Sequence, residues 1–343
     1  MNEDFLIGTY TSKTSKGMYA VTLNHDQKKL ENVRLVVASQ KPAYLQQVNN
    51  RVYAVKQDGN LGGIASYQLS TDGVVSLIDQ QLGAGAPPAY VGYDQTRQLV
   101  YSANYHKGTV TVFKLDQEGH LTKTDEVTHQ GECGPKPEQD APHAHYADLT
   151  PDKRLAVCDL GMDLVVIYDV SDEGKLTQAS RYQAEAGFGP RHLVFHPNGQ
   201  VAYVLGELSS KLEVLKYDER TGSFSHLQTI DTIPADWNAH NGAAAIHVSS
   251  DGRFVYSSNR GENTIAVFKV EDDLTLRHTQ SITTAGDFPR DFELSQDEAF
   301  LVASNQNSDN LTLYSRDATT GQLTLLQQDV ACPEPVCVKQ WVK

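Results

Sequence analysis

The segment Pro142-His143-Ala144-His145 sets two imidazoles one residue apart immediately after a proline. An imidazole titrates near neutral pH, so either ring can accept a proton from water or hold a substrate hydroxyl. Arginines recur in similar company further on: Arg191 in Gly189-Pro190-Arg191-His192, Arg260 in Ser258-Asn259-Arg260-Gly261, and Arg290 in Pro289-Arg290-Asp291. A guanidinium presents a planar fork of donors that matches a carboxylate, a phosphate or a developing oxyanion. Glu207, directly after Gly206, supplies a carboxylate that can act as a general base or as the partner that keeps an arginine in place. His143, Glu207, Arg191 and Arg260 form the candidate catalytic set. His145, His192, Arg290, Asn305 and Gln306 are candidate substrate-binding residues.

Each residue also has a plainer reading. His143 can simply close the loop after Pro142 through a backbone bond, and Arg191 can be a structural partner of Glu207 or Asp159. Asp159 and Asp163 flank the turn Leu160-Gly161-Met162 and read as structural. His143, His145, Glu207 and Asp159 are acceptable metal ligands by type, yet their spacing is not diagnostic, and three arginines oppose a further dense positive charge. No metal and no cofactor is expected.

These residues matter only if the fold brings them together, and a repeat does so. Strands rich in β-branched and aromatic residues that end in small or polar ones occur at 5–10, 51–56, 98–105, 155–161, 201–207, 254–261 and 300–306. A turn followed by a second strand type alternates with them. Its closing apolar residues are Leu30, Val74, Leu121, Leu176, Phe224, Leu276 and Leu323, separated by 44, 47, 55, 48, 52 and 47 residues. Hairpin signals such as Pro151-Asp152, Pro197-Asn198-Gly199 and Ser250-Asp251-Gly252 precede the first strand type.

Four short strands therefore fit each period, and no segment sustains a helical one. The fold class is all-β: a seven-bladed β-propeller with four antiparallel strands per blade, one domain over residues 1–343. The apolar strand at 336–342 is left over at one end and strand 5–10 lacks a partner at the other, so the two are expected to share a blade and close the ring. In such a blade the starts of first strands and the ends of second strands point to one mouth, which is where the candidate residues fall.

Acidic residues outnumber basic ones 43 to 29, a net charge of −14, which argues against nucleic acid as a partner. No apolar run approaches the roughly 20 residues of a membrane helix. The first ten residues lack the basic head and apolar core of a secretion signal, so a cytoplasmic location is expected. Cys133, Cys158, Cys332 and Cys337 fit no zinc pattern and read as reduced thiols. Oligomeric state is not encoded in any motif.

Taken in order, Gly8-Thr9-Tyr10-Thr11, Pro142-His143-Ala144-His145, Asp159-Leu160-Gly161-Met162-Asp163, Gly189-Pro190-Arg191-His192, Gly206-Glu207-Leu208, Ser257-Ser258-Asn259-Arg260-Gly261, Pro289-Arg290-Asp291-Phe292 and Ser304-Asn305-Gln306 resemble the seven-bladed propeller lactonases of the 6-phosphogluconolactonase type. That family also includes fungal carboxymuconate-lactonizing enzymes. The resemblance spans nearly the whole chain and implies active-site roles for His143, Arg191, Glu207 and Arg260. One departure stands out: many members carry Arg-Gln shortly before the histidine segment, where this chain has Glu138-Gln139.

The expected activity is hydrolysis of a small anionic sugar lactone, 6-phosphogluconolactone to 6-phosphogluconate in the pentose phosphate pathway. In that scheme Glu207 or His143 activates water, and Arg191 or Arg260 stabilises the oxyanion. Two alternatives stay open: a lactonizing enzyme or cycloisomerase that clamps a dicarboxylic acid with the same arginines, and a non-catalytic scaffold that binds proteins on its top face.

Overall fold

The computed structural model describes residues 2–70 and 73–342. Its strands form seven four-stranded antiparallel sheets. Blade 1 runs Pro335–Trp341, Asn2–Thr9, Gly17–Asn24 and Lys29–Ala38, and in it Phe5 pairs with Gln340 and Ile7 with Val338, so the two ends of the chain close the ring as the leftover strands suggested. In blades 2 to 7 the innermost strands are Leu45–Val48, Tyr90–Asp94, Ala144–Leu149, Pro190–Phe195, Gly242–Val248 and Pro289–Leu294. These inner strands touch their neighbours from blade to blade all the way round, the last meeting Pro335–Trp341.

Burial follows from that arrangement. The second strand of a blade is covered on both faces by adjoining blades, so Leu99–Asn104, Val201–Gly206 and Phe300–Asn305 are buried throughout. The fourth strand has one face in solvent, and beyond its first residue Leu121–Thr128 is accordingly only half-buried or exposed. Apolar side chains pool between blades: Phe5 and Ile7 of blade 1 pack with Val302 and Leu313 of blade 7, and Tyr256 of blade 6 packs with Phe292 and Leu301.

The hairpin signals in the sequence correspond to a shared device. Thr150, Ser249 and Ser295 each donate a hydroxyl to the aspartate two residues on, at 2.6, 2.7 and 2.6 Å, holding the turn between first and second strands at the lower end of the ring. Most of the fourth-strand turns are likewise in place; Thr71 and Asp72, which open the one before Val75–Ala84, lie outside the described residues. Of the four cysteines, Cys158, Cys332 and Cys337 are buried, Cys133 is half-buried, and none forms a disulfide. No helix among the described residues is long and apolar enough to cross a membrane.

Candidate active site

At the upper end the inner strands do not begin regularly. In blade 4, Ala144 pairs with Asp159 and Tyr146 with Cys158, leaving His145 unpaired as a bulge. Arg191 is skipped in the same way between Pro190 and His192, Arg290 between Pro289 and Asp291, and Val336 between Pro335 and Cys337. A bulged residue steps out of the two-residue alternation of a strand and is re-aimed. All four of these side chains line one cavity of about 430 Å³, together with His192, Glu207 and Arg260.

Blade 6 is irregular over Ala244 and Ala245, between the pairs Ala243–Asn259 and Ile246–Ser257. The run Gly242-Ala243-Ala244 brings little side-chain bulk and turns its carbonyls to the arginines: Arg260 donates Nε to the Gly242 carbonyl at 3.0 Å and Nη2 to that of Ala243 at 3.3 Å, while Arg191 Nη1 donates to that of Ala244. Blades 2 and 3 have regular inner strands, and there the wall is built from loop residues such as Lys41 and Ala86-Pro87-Pro88 and from Tyr44.

Glu207 joins the two arginines. Its Oε1 lies 2.9 Å from Arg260 Nη2 and its Oε2 lies 2.9 Å from Arg191 Nε, the latter as an ion pair whose N–H is not aligned for a hydrogen bond. Burial alone would raise the Glu207 pKa, but Arg260, Arg191 and Arg290 outweigh it and hold the carboxylate below its ordinary range, hence ionised at neutral pH. Burial, then Arg260 and Arg290, bring Arg191 down to about 9. Arg290 differs from both: its guanidinium lies 5.3 Å from the Tyr10 ring and has no acidic partner among the described residues.

The chain between blades 4 and 5 explains how Arg191 is delivered. Gly189 has φ of +66°, and a Cβ there would meet Leu208 at 2.6 Å, so only glycine fits. The buried Asp163 carboxylate accepts the Gly187 and Gly189 N–H groups at 2.8 and 2.7 Å and the Gln139 amide at 2.7 Å. Asp163 is therefore structural, as its position suggested, but it ties down the next blade and not only its own turn.

His145 and His192 form the floor, with ring centroids 5.1 Å apart. Burial and the arginines push both pKa values well below the ordinary histidine value, so the rings are neutral, and His145 Nδ1 is buried without a partner among the described residues. Below them Tyr44, Tyr90 and Tyr146 surround His192, at 5.9, 5.4 and 5.6 Å, and close the shaft. Tyr44 and Tyr90 end the segments Pro42-Ala43-Tyr44 and Pro88-Ala89-Tyr90, and Tyr146 follows His145; this role has no counterpart in the sequence patterns for catalysis.

Three of the expected site residues do not reach the cavity. His143 sits one layer behind it: its ring hydrogen-bonds the Tyr105 carbonyl at 2.7 Å and Asp140 at 2.9 Å, while its N–H donates to Asp159 at 2.8 Å, which is the loop-closing alternative. Asn305 is fully buried and donates to Thr312 Oγ1 at 3.1 Å and the Thr284 carbonyl at 3.4 Å. Gln306 is half-exposed and lies outside the lining. Glu138 is exposed in the short helix Pro137–Gln139 and does not line the cavity either, whereas Gln139 is buried against Asp163. As for a metal, the described His, Cys, Asp and Glu side chains close enough to share an ion are Asp116, Glu118 and His120, all exposed on an outer turn of blade 3.

A ring of seven four-stranded blades with a carboxylate held between arginines at one mouth defines an enzyme-like propeller, and comparison with known proteins gives its class. The family described as lactonase, 7-bladed beta-propeller, matches residues 4–340. The chain belongs to this lactonase family. It is 40% identical to the 6-phosphogluconolactonase of Bacillus subtilis over 339 residues, 97% of each chain. A crystal structure of a protein from Lactobacillus plantarum superposes with a TM-score of 0.98 at 54% identity, covering 100% of both chains. The periplasmic gluconolactonase of Pseudomonas aeruginosa superposes with a TM-score of 0.93 at 29% identity, covering 100% of this chain and 99% of the other.

Proposed function

We propose that this protein hydrolyses a sugar lactone and that its substrate is 6-phosphogluconolactone, opened to 6-phosphogluconate in the pentose phosphate pathway. The observation that carries the reading is Glu207, ionised and fixed between Arg191 and Arg260 on the wall of a cavity sized for one sugar. Glu207 takes a proton from water as the water oxygen bonds to the lactone carbonyl carbon. The carbonyl oxygen becomes an oxyanion, and Arg290, whose donors are not engaged by an acid, faces it. Collapse re-forms the carbonyl and breaks the bond to the ring oxygen, which leaves with the proton returned from Glu207. His145 and His192 hold sugar hydroxyls as neutral rings, and His143 positions Tyr105. A cytoplasmic location is part of the same proposal.

The test is turnover of freshly generated 6-phosphogluconolactone, corrected for spontaneous opening, by wild type and by Glu207→Gln, Arg191→Ala and Arg260→Ala. Loss of a charged group from the reacting centre is expected to lower kcat/KM by roughly 10² to 10³. Near-wild-type turnover in the folded variants would discard the mechanism and favour the scaffold alternative.

A further inference from the structure

The cavity has two unlike sides. On that of blades 5 and 6 the charges already answer one another, Glu207 against Arg191 and Arg260, while Arg290 of blade 7 rests on the Tyr10 ring. Across the ring, Lys41 from the linker between blades 1 and 2, His106 after the second strand of blade 3, and Ser12 after Asn2–Thr9 also line it. Among the described residues the Lys41 ammonium, the His106 ring nitrogens and the Ser12 hydroxyl have no hydrogen-bond or acidic partner; the hydrogen bonds of these residues are made by their backbone groups. In a chain of net charge −14, a lysine facing a cavity with no acid beside it is poised for an anion.

The backbone beneath this wall is fixed. Glu334, 3% exposed, accepts the N–H groups of Ser12, Lys13, Thr14 and Ser15 at 2.9, 2.9, 3.1 and 3.0 Å. A run of amides of this kind would otherwise cradle an anion, so with Glu334 filling it only side chains remain to meet a ligand. Lys41 is held in the left-handed region, φ +46°, with its N–H on Thr11 Oγ1 at 3.1 Å. Burial first, and then the neighbouring His143 and Lys41, lower the His106 pKa, so its ring meets a ligand as a neutral hydrogen-bonding group.

We propose that Lys41 and His106, with Ser12, form the subsite for the phosphomonoester at the far end of the lactone substrate, and so set the preference between phosphorylated and unphosphorylated sugar lactones. This rests on the lactonase reading. The tasks divide between the two walls: the arginines meet the reacting carbonyl, and Lys41 and His106, from blades on the other side, meet the group at the other end of the sugar.

The experiment compares wild type with Lys41→Met, His106→Asn and the restoring change Lys41→Arg, after thermal melts establish folding. It measures the ratio of kcat/KM on 6-phosphogluconolactone to that on glucono-1,5-lactone, and by calorimetry the affinities for 6-phosphogluconate and gluconate. Loss of one charge-assisted contact should lower the ratio by about 10-fold in Lys41→Met, by less in His106→Asn, and Lys41→Arg should recover most of it. An unchanged ratio in both folded variants overturns the subsite while leaving the lactonase reading intact. A wild type that opens neither lactone, yet binds 6-phosphogluconate over gluconate through Lys41, overturns the lactonase reading and keeps the subsite.

Discussion

His143 lies flat on Tyr105, ring centroids 4.1 Å apart and 6° from parallel, so the tyrosine and not the histidine faces the cavity. Both His143 ring nitrogens are already engaged, by the Tyr105 carbonyl and by Asp140. His145→Ala is therefore expected to lower kcat/KM on a sugar lactone by about 10-fold through a lost hydroxyl contact, while His143→Ala leaves kcat within about 2-fold and mainly raises KM as Tyr105 loosens. Steady-state kinetics on the two variants checks this; a larger kcat loss at His143 would restore it as the base.

Arg290→Ala should cost more in kcat than in stability, because its guanidinium rests on Tyr10 and on no acid. Arg260→Ala should cost both, since it strips a counter-charge from Glu207 and breaks bonds to the Gly242 and Ala243 carbonyls. Removing one partner of a buried ion pair destabilises by about 3–5 kcal/mol. Urea unfolding alongside kinetics separates the two, and equal destabilisation would contradict the difference in their surroundings.

Stability should fall as pH drops from 7 towards 5. His145 and His192 have folded-state pKa values well below the ordinary value because burial, first, and the arginines, second, oppose their charge. The unfolded chain takes up these protons near pH 6.5 and the folded one does not, so the folded state is at full advantage above that pH and loses about 1.4 kcal/mol per unit for each ring below it. Glu207, held ionised, adds a loss only at still lower pH. Denaturant melts across pH 5 to 8 measure the slope; a double His145→Asn, His192→Asn variant should flatten it, and an unaltered slope would assign the effect elsewhere.

Asp163→Asn should destabilise the protein by about 1–3 kcal/mol, since an amide nitrogen would be set against N–H donors from Gly187 and Gly189. Because those bonds deliver Gly189 and hence Arg191, KM should rise as well. Thermal melts and kinetics check both; an unaffected KM would show that Gly189 and Pro190 place Arg191 unaided.

Much of this architecture was legible in the chain alone. Seven copies of two strand types at steps of 44 to 55 residues led to seven blades, and the orphan strands at the ends led to the shared blade in which Phe5 pairs with Gln340. Strand starts and ends also pointed to a common mouth, where Arg191, Glu207, Arg260, Arg290, His145 and His192 do line one cavity. Periodicity carries this information because every blade must bury the same faces against its neighbours.

Which side chain enters the cavity was decided only in three dimensions. Strand alternation has a period of two, so one unpaired residue reverses every facing that follows it. The bulges at His145, Arg191 and Arg290 leave no mark in composition, since any residue can occupy one. Bonds to Asp159, Asp140 and the Tyr105 carbonyl hold His143 behind Tyr105, and Asn305 ends a strand buried between blades, bound to Thr284 and Thr312. Residue types thus told which chemistry was available, and the register of inner strands told which groups could perform it.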